Sequence, residues 1–147
     1  MLDLAMTSWR GILEIILTTI QQNISDFTDI GSGKERELQD LLYYRLADKG
    51  LNVKRRVILE RPGFPRIEID VLIENCVAVE IKCDRRFYEG IGQILAVMEL
   101  YGKFGVLLHL VDDYCESEIH SLKTLANKYG FSVIVIRRHK GDVVTYW

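Results

Sequence analysis

Residues 66–82 contain two strand-like runs, Arg66-Ile67-Glu68-Ile69-Asp70-Val71-Leu72-Ile73 and Val77-Ala78-Val79-Glu80-Ile81-Lys82. Successive side chains of a strand alternate between its two faces, so Glu80 and Lys82 share one face while the apolar residues beside them take the other. Asp70 stands between two apolar residues in the same manner. If the runs pair through a short turn at residues 74–75, the aspartate, the glutamate and the lysine converge on one spot at the sheet edge.

These residue types suit the hydrolysis of a phosphodiester bond. Mg²⁺ prefers hard oxygen ligands and keeps several waters, so one or two carboxylates are enough to hold it. Such an ion can stabilise charge on the phosphoryl oxygens, align the attacking water and stabilise the leaving alkoxide. Lys82 would then hold the water or the scissile phosphate. The alternative from these residues alone is that Glu80 and Lys82 form the solvated face of a half-buried strand.

Length and composition indicate a single folded domain over residues 1–147. The chain is 48% hydrophobic and 27% charged, which is typical of a globular protein with a core. Its net charge of -2 argues against a protein that coats polyanions generally, but it leaves room for a local basic surface.

The cysteines and the N-terminal region bear on location. The three cysteines and three histidines have no ligand spacing, so neither a zinc site nor a disulfide framework is expected. An odd thiol count fits a reducing cytoplasm. The apolar run over residues 9–20 is interrupted by Arg10 and Glu14, so we expect neither a signal peptide nor a membrane partner.

Apolar spacing predicts an alternating order of helices and strands. Thr7 or Ser8 is the expected cap of the first helix. The first three strands should form an antiparallel meander. The spacing predicts helices over residues 9–20, 38–49, 91–98 and 119–129, strands over 51–59, 66–73, 76–82, 104–111 and 131–137, and an edge strand over 143–147.

This order, αβββαβ with an extra N-terminal helix and a C-terminal αβ addition, resembles the restriction-endonuclease-like core of the PD-(D/E)XK nuclease superfamily. The resemblance covers roughly residues 33–111 and implies an α/β fold with a mixed sheet. Asp70 falls where the family has its metal-binding aspartate, and Glu80-Ile81-Lys82 resembles the family's E-x-K motif. The resemblance implies that Asp70, Glu80 and the backbone carbonyl of Ile81 bind the metal, while Lys82 serves the water.

The resemblance also implies an acid on the preceding helix and a glutamine on the following one. Gln93, in the string GIGQIL, is similar to the glutamine that supports the site in many members. Glu35 lies in line with the leucines of its helix whereas Glu37 falls beside them, so Glu35 is the chosen acid. The Glu-Arg-Glu-Leu string over residues 35–38 also resembles the first helix of archaeal Holliday-junction resolvases. Glu37 and a capping box over residues 32–35 stay open as alternatives.

Other residues beside the motifs have simpler interpretations. Ile69, where many family members have proline, precedes Asp70. Glu68 is interpreted as a solvated residue of the outer strand face. Gly90 and Gly92 each cost a helix about 1 kcal/mol relative to alanine, which indicates that the backbone approaches something closely there.

Basic residues surround the candidate site. Lys34 and Arg36 flank the helix acid, and Arg85 and Arg86 follow the E-x-K motif closely. We expect them to contact phosphates, which gives affinity without sequence preference. A second basic cluster at residues 137–140 is either a further phosphate contact or a charged turn.

The sequence therefore predicts a Mg²⁺-dependent DNA endonuclease, with Mn²⁺ expected to substitute for Mg²⁺. Duplex, junction and flap DNA are the candidate substrates. A junction resolvase would act as a homodimer with two sites, and the oligomeric state stays open. The alternative function is a catalytically inactive protein that keeps the nuclease fold and binds nucleic acid or has a structural role.

Overall fold

The structure, a computed structural model, describes residues 8–146. Over these residues the chain forms a mixed α/β fold with five helices and one six-stranded mixed sheet. The helices are α1 (Trp9–Gln22), α2 (Ile24–Thr28), α3 (Glu35–Asp48), α4 (Ile91–Tyr101) and α5 (Glu116–Tyr129). The strands are β1 (Val53–Leu59), β2 (Ile67–Ile73), β3 (Val77–Cys83), β4 (Phe104–Val111), β5 (Ser132–Arg137) and β6 (Asp142–Tyr146).

The sheet order follows the sequence, β1-β2-β3-β4-β5-β6. The first three strands form the antiparallel meander that their sequence predicts. Strands β3, β4 and β5 are parallel, joined by the α4 and α5 crossovers, and β6 returns antiparallel to β5. Parallel strands need such crossovers, which is why helices cover the β3–β5 half of the sheet.

The helices cover both faces of the sheet. Side chains of α1, α2 and α3 form one buried cluster with alternate residues of the strands, among them Val79 and Ile81. Side chains of α4 and α5 pack on the other face, against residues such as Leu107 and Val133. The alternation expected for β3 is therefore confirmed. No helix in residues 8–146 has the length and apolar character needed to cross a membrane.

A tight turn sets the register between β2 and β3. Glu74 and Asn75 have φ values of 52° and 51°, and the Cys76 amide donates to the Ile73 carbonyl at 3.0 Å. This bond closes a tight turn with two consecutive left-handed residues, and the strands pair from Ile73↔Val77 onwards. The short turn expected at residues 74–75 is confirmed, and it sets Asp70 opposite Glu80.

Most predicted elements are confirmed, with shifted boundaries. Ser8 caps α1, since its Oγ accepts a hydrogen bond from the Gly11 amide at 3.1 Å, whereas Thr7 lies outside the described residues. The five-residue helix α2 was not predicted, because one buried residue, Phe27, gives no periodic signal. The predicted edge strand is β6, and Trp147 lies outside the described residues.

Helix α4 lies directly on β4 at Gly105. A Cβ atom added to this glycine would lie 2.5 Å from Ile94 Cγ2 and 2.8 Å from Met98 Sδ. Such distances are below normal contact, so any side chain would push α4 away from the sheet. Because Gln93 lies in α4, the packing of this helix against β4 determines the position of the candidate glutamine.

We expect Gly105→Ala to lower the free energy of unfolding by about 1–3 kcal/mol, the usual cost of overpacking a core. Gly92→Ala is the matched control, because Gly92 lies in helix α4, which packs on Gly105, and has no atom within 4 Å of its added Cβ. That change should leave stability equal or raise it by up to about 1 kcal/mol through helix propensity. Urea unfolding measures both, and equal stability of the two variants would contradict this packing.

Candidate active site between strands β2 and β3

Strands β2 and β3 separate at the level of Asp70. Their last backbone pair is Val71↔Val79, although Asp70 and Glu80 stand next in the register. The Ile81 amide donates to the Asp70 carboxylate at 2.7 Å, in the place where a strand carbonyl would otherwise accept. The N–H and C=O of one strand residue point towards the same neighbouring strand, so the Ile81 carbonyl also faces the β2 side.

The face that β2 presents changes at Asp70. Ile69 belongs to the buried cluster that includes Val97 of α4, whereas Val71 belongs to the cluster under α1 and α3. Residues two apart in a regular strand share a face, so the strand is twisted locally. Arg56, opposite Asp70 in β1, has a left-handed φ of 52°. The backbone therefore departs from regular strand geometry at the position that carries the aspartate.

Glu80 and Lys82 form an ion pair in which the glutamate is buried and the lysine is partly exposed. Glu80 is only 6% exposed, and its Oε1 lies 3.2 Å from the Lys82 Nζ, whose side chain is 21% exposed. The alternative that these residues form a solvated strand face is wrong. The expected position at the sheet edge is also wrong, because β2 and β3 are the second and third of six strands. The site lies inside the sheet, where the strands split.

The N-terminus of α4 covers this ion pair through Gly90. The glycine has a φ of 94°, and a Cβ there would lie 3.0 Å from Glu80 Cγ and 3.1 Å from Lys82 Cε. The left-handed conformation favours glycine, and the contact leaves little room for a side chain. The expected close approach is confirmed for Gly90, whereas Gly92 has no neighbour within 4 Å of an added Cβ, so the same expectation is wrong there.

Glu35 reaches the end of β3 from the first residue of α3. Its Oε1 accepts a hydrogen bond from the Cys83 amide at 3.3 Å and lies 3.5 Å from the Arg85 Nε. The alternative capping box does not form, because Lys34 is the N-cap and makes no side-chain cap bond. Glu37 is exposed on the outer side of the helix. Of the two acids, the structure brings Glu35 to the site.

Gln93 links α4 to β2 beside the split. Its side-chain amide donates to the backbone carbonyl of Glu68, and it lines a small cavity together with Glu80 and Ile69. The Glu68 residue itself is exposed, in agreement with its interpretation as an outer-face residue. Gln93 therefore holds the β2 backbone at the level of the candidate site.

Burial and mutual repulsion shift the pKa values of the carboxyl groups. Burial raises the pKa of Asp70, against the lowering effect of the Ile81 amide and of Lys82. Burial, together with the charge on Asp70, raises the pKa of Glu80 to about 8. Burial alone would lower the pKa of Lys82, but Glu80, together with Glu35 and Asp70, outweighs this effect and raises the pKa. One ammonium thus faces three acids, Asp70, Glu80 and the nearby Glu35, so ionisation of all three would leave an excess of negative charge.

The basic residues predicted to bind nucleic acid lie on the surface near Glu35. Lys34 and Arg36 are exposed at the start of α3. Arg85 is paired with Glu35 although 60% of its side chain is exposed. Arg86 is exposed and donates to the Tyr88 hydroxyl at 2.7 Å. The predicted phosphate contacts of these four residues stay a prediction.

Asp84 and Arg138 form a link that the sequence analysis missed. The Arg138 guanidinium is 3.0 Å from each Asp84 carboxylate oxygen and 3.1 Å from the Ile30 carbonyl, while the Gly33 amide donates to Asp84 at 3.2 Å. Arg138 is engaged within the fold and only 15% exposed, so the proposed phosphate contact from residues 137–140 does not extend to it. The link ties the loop before α3 to the end of β3, which positions Glu35. No sequence signal reveals it, because the partners are 54 residues apart.

The donor set suits a hard divalent cation. The described residues contain no group of three or more His, Cys, Asp and Glu side chains arranged to hold a metal ion. Two carboxylates and one backbone carbonyl are nevertheless what Mg²⁺ needs, since water completes its shell. Such an ion would favour the ionised forms of Asp70 and Glu80 and neutralise their charge. Asp70, Glu80 and the Ile81 carbonyl are therefore the candidate ligands.

Comparisons with protein-family models, with curated proteins and with solved structures find no match to this chain. A functional proposal for the chain therefore depends on the geometry of its own residues and on the motif that they form.

We expect Glu80→Gln to stabilise the metal-free protein at alkaline pH. The ordinary pKa of 4.5 rises to about 8 in the folded protein, so the penalty for a charged Glu80 is absent below pH 4.5 and complete above pH 8. Urea unfolding in EDTA should show a gain on the order of 2 kcal/mol for the variant at about pH 9 and little difference at pH 4.5.

Glu68→Gln is the matched control for this experiment, because Glu68 is an exposed acid on the neighbouring strand. Its stability difference from the wild type should stay small at every pH. A difference between Glu80→Gln and the wild type that does not change between pH 4.5 and pH 9 would contradict the buried, repelled carboxyl described above.

Proposed function

We propose that this chain is a Mg²⁺-dependent endonuclease that hydrolyses phosphodiester bonds in DNA. The observation that carries the proposal is the split between β2 and β3, where Asp70, Glu80, the Ile81 carbonyl and Lys82 come together. Support also comes from the element order from α3 to β4, αβββαβ, which resembles the PD-(D/E)XK core. We assign the chain a restriction-endonuclease-like fold on this basis.

The ligands of the ion would be Asp70, Glu80 and the Ile81 carbonyl. When bound, Mg²⁺ would polarise the scissile phosphate and lower the pKa of a coordinated water. Mn²⁺, which accepts the same oxygen ligands, would substitute.

The protein's own groups would contribute position and charge. Lys82, kept protonated by its pair with Glu80, would attract the non-bridging phosphate oxygens and orient the attacking water. Glu35 would supply a further acid beside the site, where the hydrogen bond from the Cys83 amide holds its carboxylate at the end of β3. Gln93 would fix the β2 backbone that carries Asp70. The burial of Glu80 excludes solvent, which strengthens each of these interactions.

The surrounding cations would bind the DNA backbone. Lys34, Arg36, Arg85 and Arg86 lie near Glu35 and would contact phosphates on either side of the cut. Such contacts carry no base information, so we propose selection by DNA structure rather than by a long sequence. A junction substrate would require two sites and hence a homodimer, which stays a prediction.

Cleavage of a labelled DNA panel tests the proposal. Single strands, duplex, flaps and a four-way junction are incubated with Mg²⁺, Mn²⁺ or EDTA. We expect cleavage that EDTA abolishes, and a loss of at least about 100-fold for Asp70→Asn and Lys82→Ala, because each removes a group that holds the ion or stabilises charge on the phosphate.

Two matched controls accompany these variants. Glu68→Gln alters an exposed acid two residues from Asp70 and should retain activity. Glu37→Gln should also retain activity, whereas Glu35→Gln should lose most of it, because only Glu35 reaches β3. Metal-independent cleavage, or full activity in Asp70→Asn, would contradict the assignment of the active site. DNA binding without any cleavage would favour the inactive nuclease-fold alternative.

A further inference from the structure

An open pocket adjoins the candidate active site at the end of β3. It has a volume of about 490 Å³, within the range typical of ligand sites, and is lined by the segment that follows Lys82 together with one residue of α5. The lining residues are Asp84, Arg85, Arg86, Phe87, Tyr88 and Glu118. Because Arg85 pairs with Glu35, the pocket and the candidate active site share a wall.

Two aromatic residues form one side of the pocket. Phe87 packs against the buried cluster beneath α4 and α5, whereas Tyr88 is 50% exposed. Their rings meet edge to face, with centroids 5.4 Å apart and planes at 81°. The Arg86 guanidinium donates to the Tyr88 hydroxyl at 2.7 Å. Phe87 therefore anchors the segment in the core, and Tyr88 presents a fixed ring to solvent.

The backbone of this segment is held at several points. The Asp84 amide donates to the Leu110 carbonyl at 2.9 Å, and the Asp84 carboxylate is held by Arg138. The Glu89 amide donates to the Arg86 carbonyl at 3.0 Å, which closes a turn around the aromatic pair. A surface that is already ordered loses little conformational entropy when a ligand binds.

The charges in the pocket distinguish between parts of a nucleotide. Arg85 and Arg86 are exposed cations and would attract phosphates. Glu118 faces them from α5, and its carboxylate repels a phosphate but accepts hydrogen bonds from the amino groups of a base. Aromatic rings stack on any base without regard to sequence. The combination suits a base beside Tyr88 and phosphates beside the arginines.

We propose that this pocket binds an unpaired base of the DNA substrate, stacked on Tyr88 next to the cut. The inference rests on the proposed function and restricts the class of DNA substrate. The substrate class becomes DNA with an unpaired nucleotide beside the cleavage point, such as a flap or an overhang, because a base inside a continuous duplex is not free to enter the pocket. Arg85 and Arg86 hold the phosphates that flank this base.

Binding in EDTA tests the pocket separately from catalysis. The probes are a flap DNA with 2-aminopurine at the unpaired position and a blunt duplex of the same sequence. We expect Tyr88→Leu to bind the flap about tenfold more weakly, the loss of one base-stacking contact, and to leave duplex binding unchanged. The quenching of 2-aminopurine seen with the wild type should disappear in this variant.

Two further variants isolate stacking as the cause. Tyr88→Phe removes the hydroxyl that Arg86 contacts but keeps the ring, so its binding should stay close to that of the wild type. Tyr129→Leu is the matched control, because Tyr129 is 43% exposed beside a lysine, Lys128, at the far end of α5. It should bind both probes as the wild type does.

The outcomes separate this proposal from the proposed function. Metal-dependent cleavage together with unchanged flap binding by Tyr88→Leu would overturn the pocket and leave the nuclease intact. Equal losses for flap and duplex would also overturn it, because a general backbone contact has no preference for unpaired bases. A wild type that binds neither probe and cleaves nothing would overturn both proposals.

Discussion

The hydrogen bond from the Ile81 amide to the Asp70 carboxylate is the interaction on which the candidate site depends. A buried amide without an acceptor is costly, so two strands can part inside a sheet only if another group replaces the missing carbonyl. Asp70 supplies that acceptor at 2.7 Å. The same bond positions Asp70, opens β3 on its β2 side and leaves Glu80 facing the gap. A structural requirement of the sheet and the placement of a candidate ligand are thus met by one contact.

The burial of Asp70 and Glu80 close together destabilises the fold electrostatically, and other interactions of the fold offset this cost. Both carboxyl groups are buried, and the pKa of each is raised: the charge on Asp70 opposes ionisation of Glu80, and the charges on Glu35 and Glu68 oppose ionisation of Asp70. Lys82 offsets only part of these effects. Two buried carboxyl groups with raised pKa values destabilise a fold, whereas the same two groups can act together as ligands of a cation. The link between Asp84 and Arg138 lies on the other side of Glu35 and holds the loop before α3. It keeps the helix acid near the repelled pair.

Sequence predicts the parts of this structure that local patterns encode. Alternation in β2 and β3, the turn at residues 74–75 and helical spacing were enough to bring Asp70, Glu80 and Lys82 together. The sequence did not place them inside the sheet, because the split depends on a side chain replacing a backbone acceptor. It left Glu35 and Glu37 as alternatives, since only tertiary contact with β3 distinguishes them. Long-range ion pairs leave no local pattern, which is why the Asp84 link was missed.

A crystal soaked in Mn²⁺ and measured at the manganese absorption edge tests whether the split between β2 and β3 binds a metal, because it locates the ion without any assumption about substrate. We expect one anomalous peak between the carboxylates of Asp70 and Glu80, at coordination distance from the Ile81 carbonyl, and no peak there in Asp70→Asn crystals. A wild-type crystal that shows Mn²⁺ only at other surface positions, or no ion at all at saturating concentration, would contradict the claim that the split between β2 and β3 is a metal site.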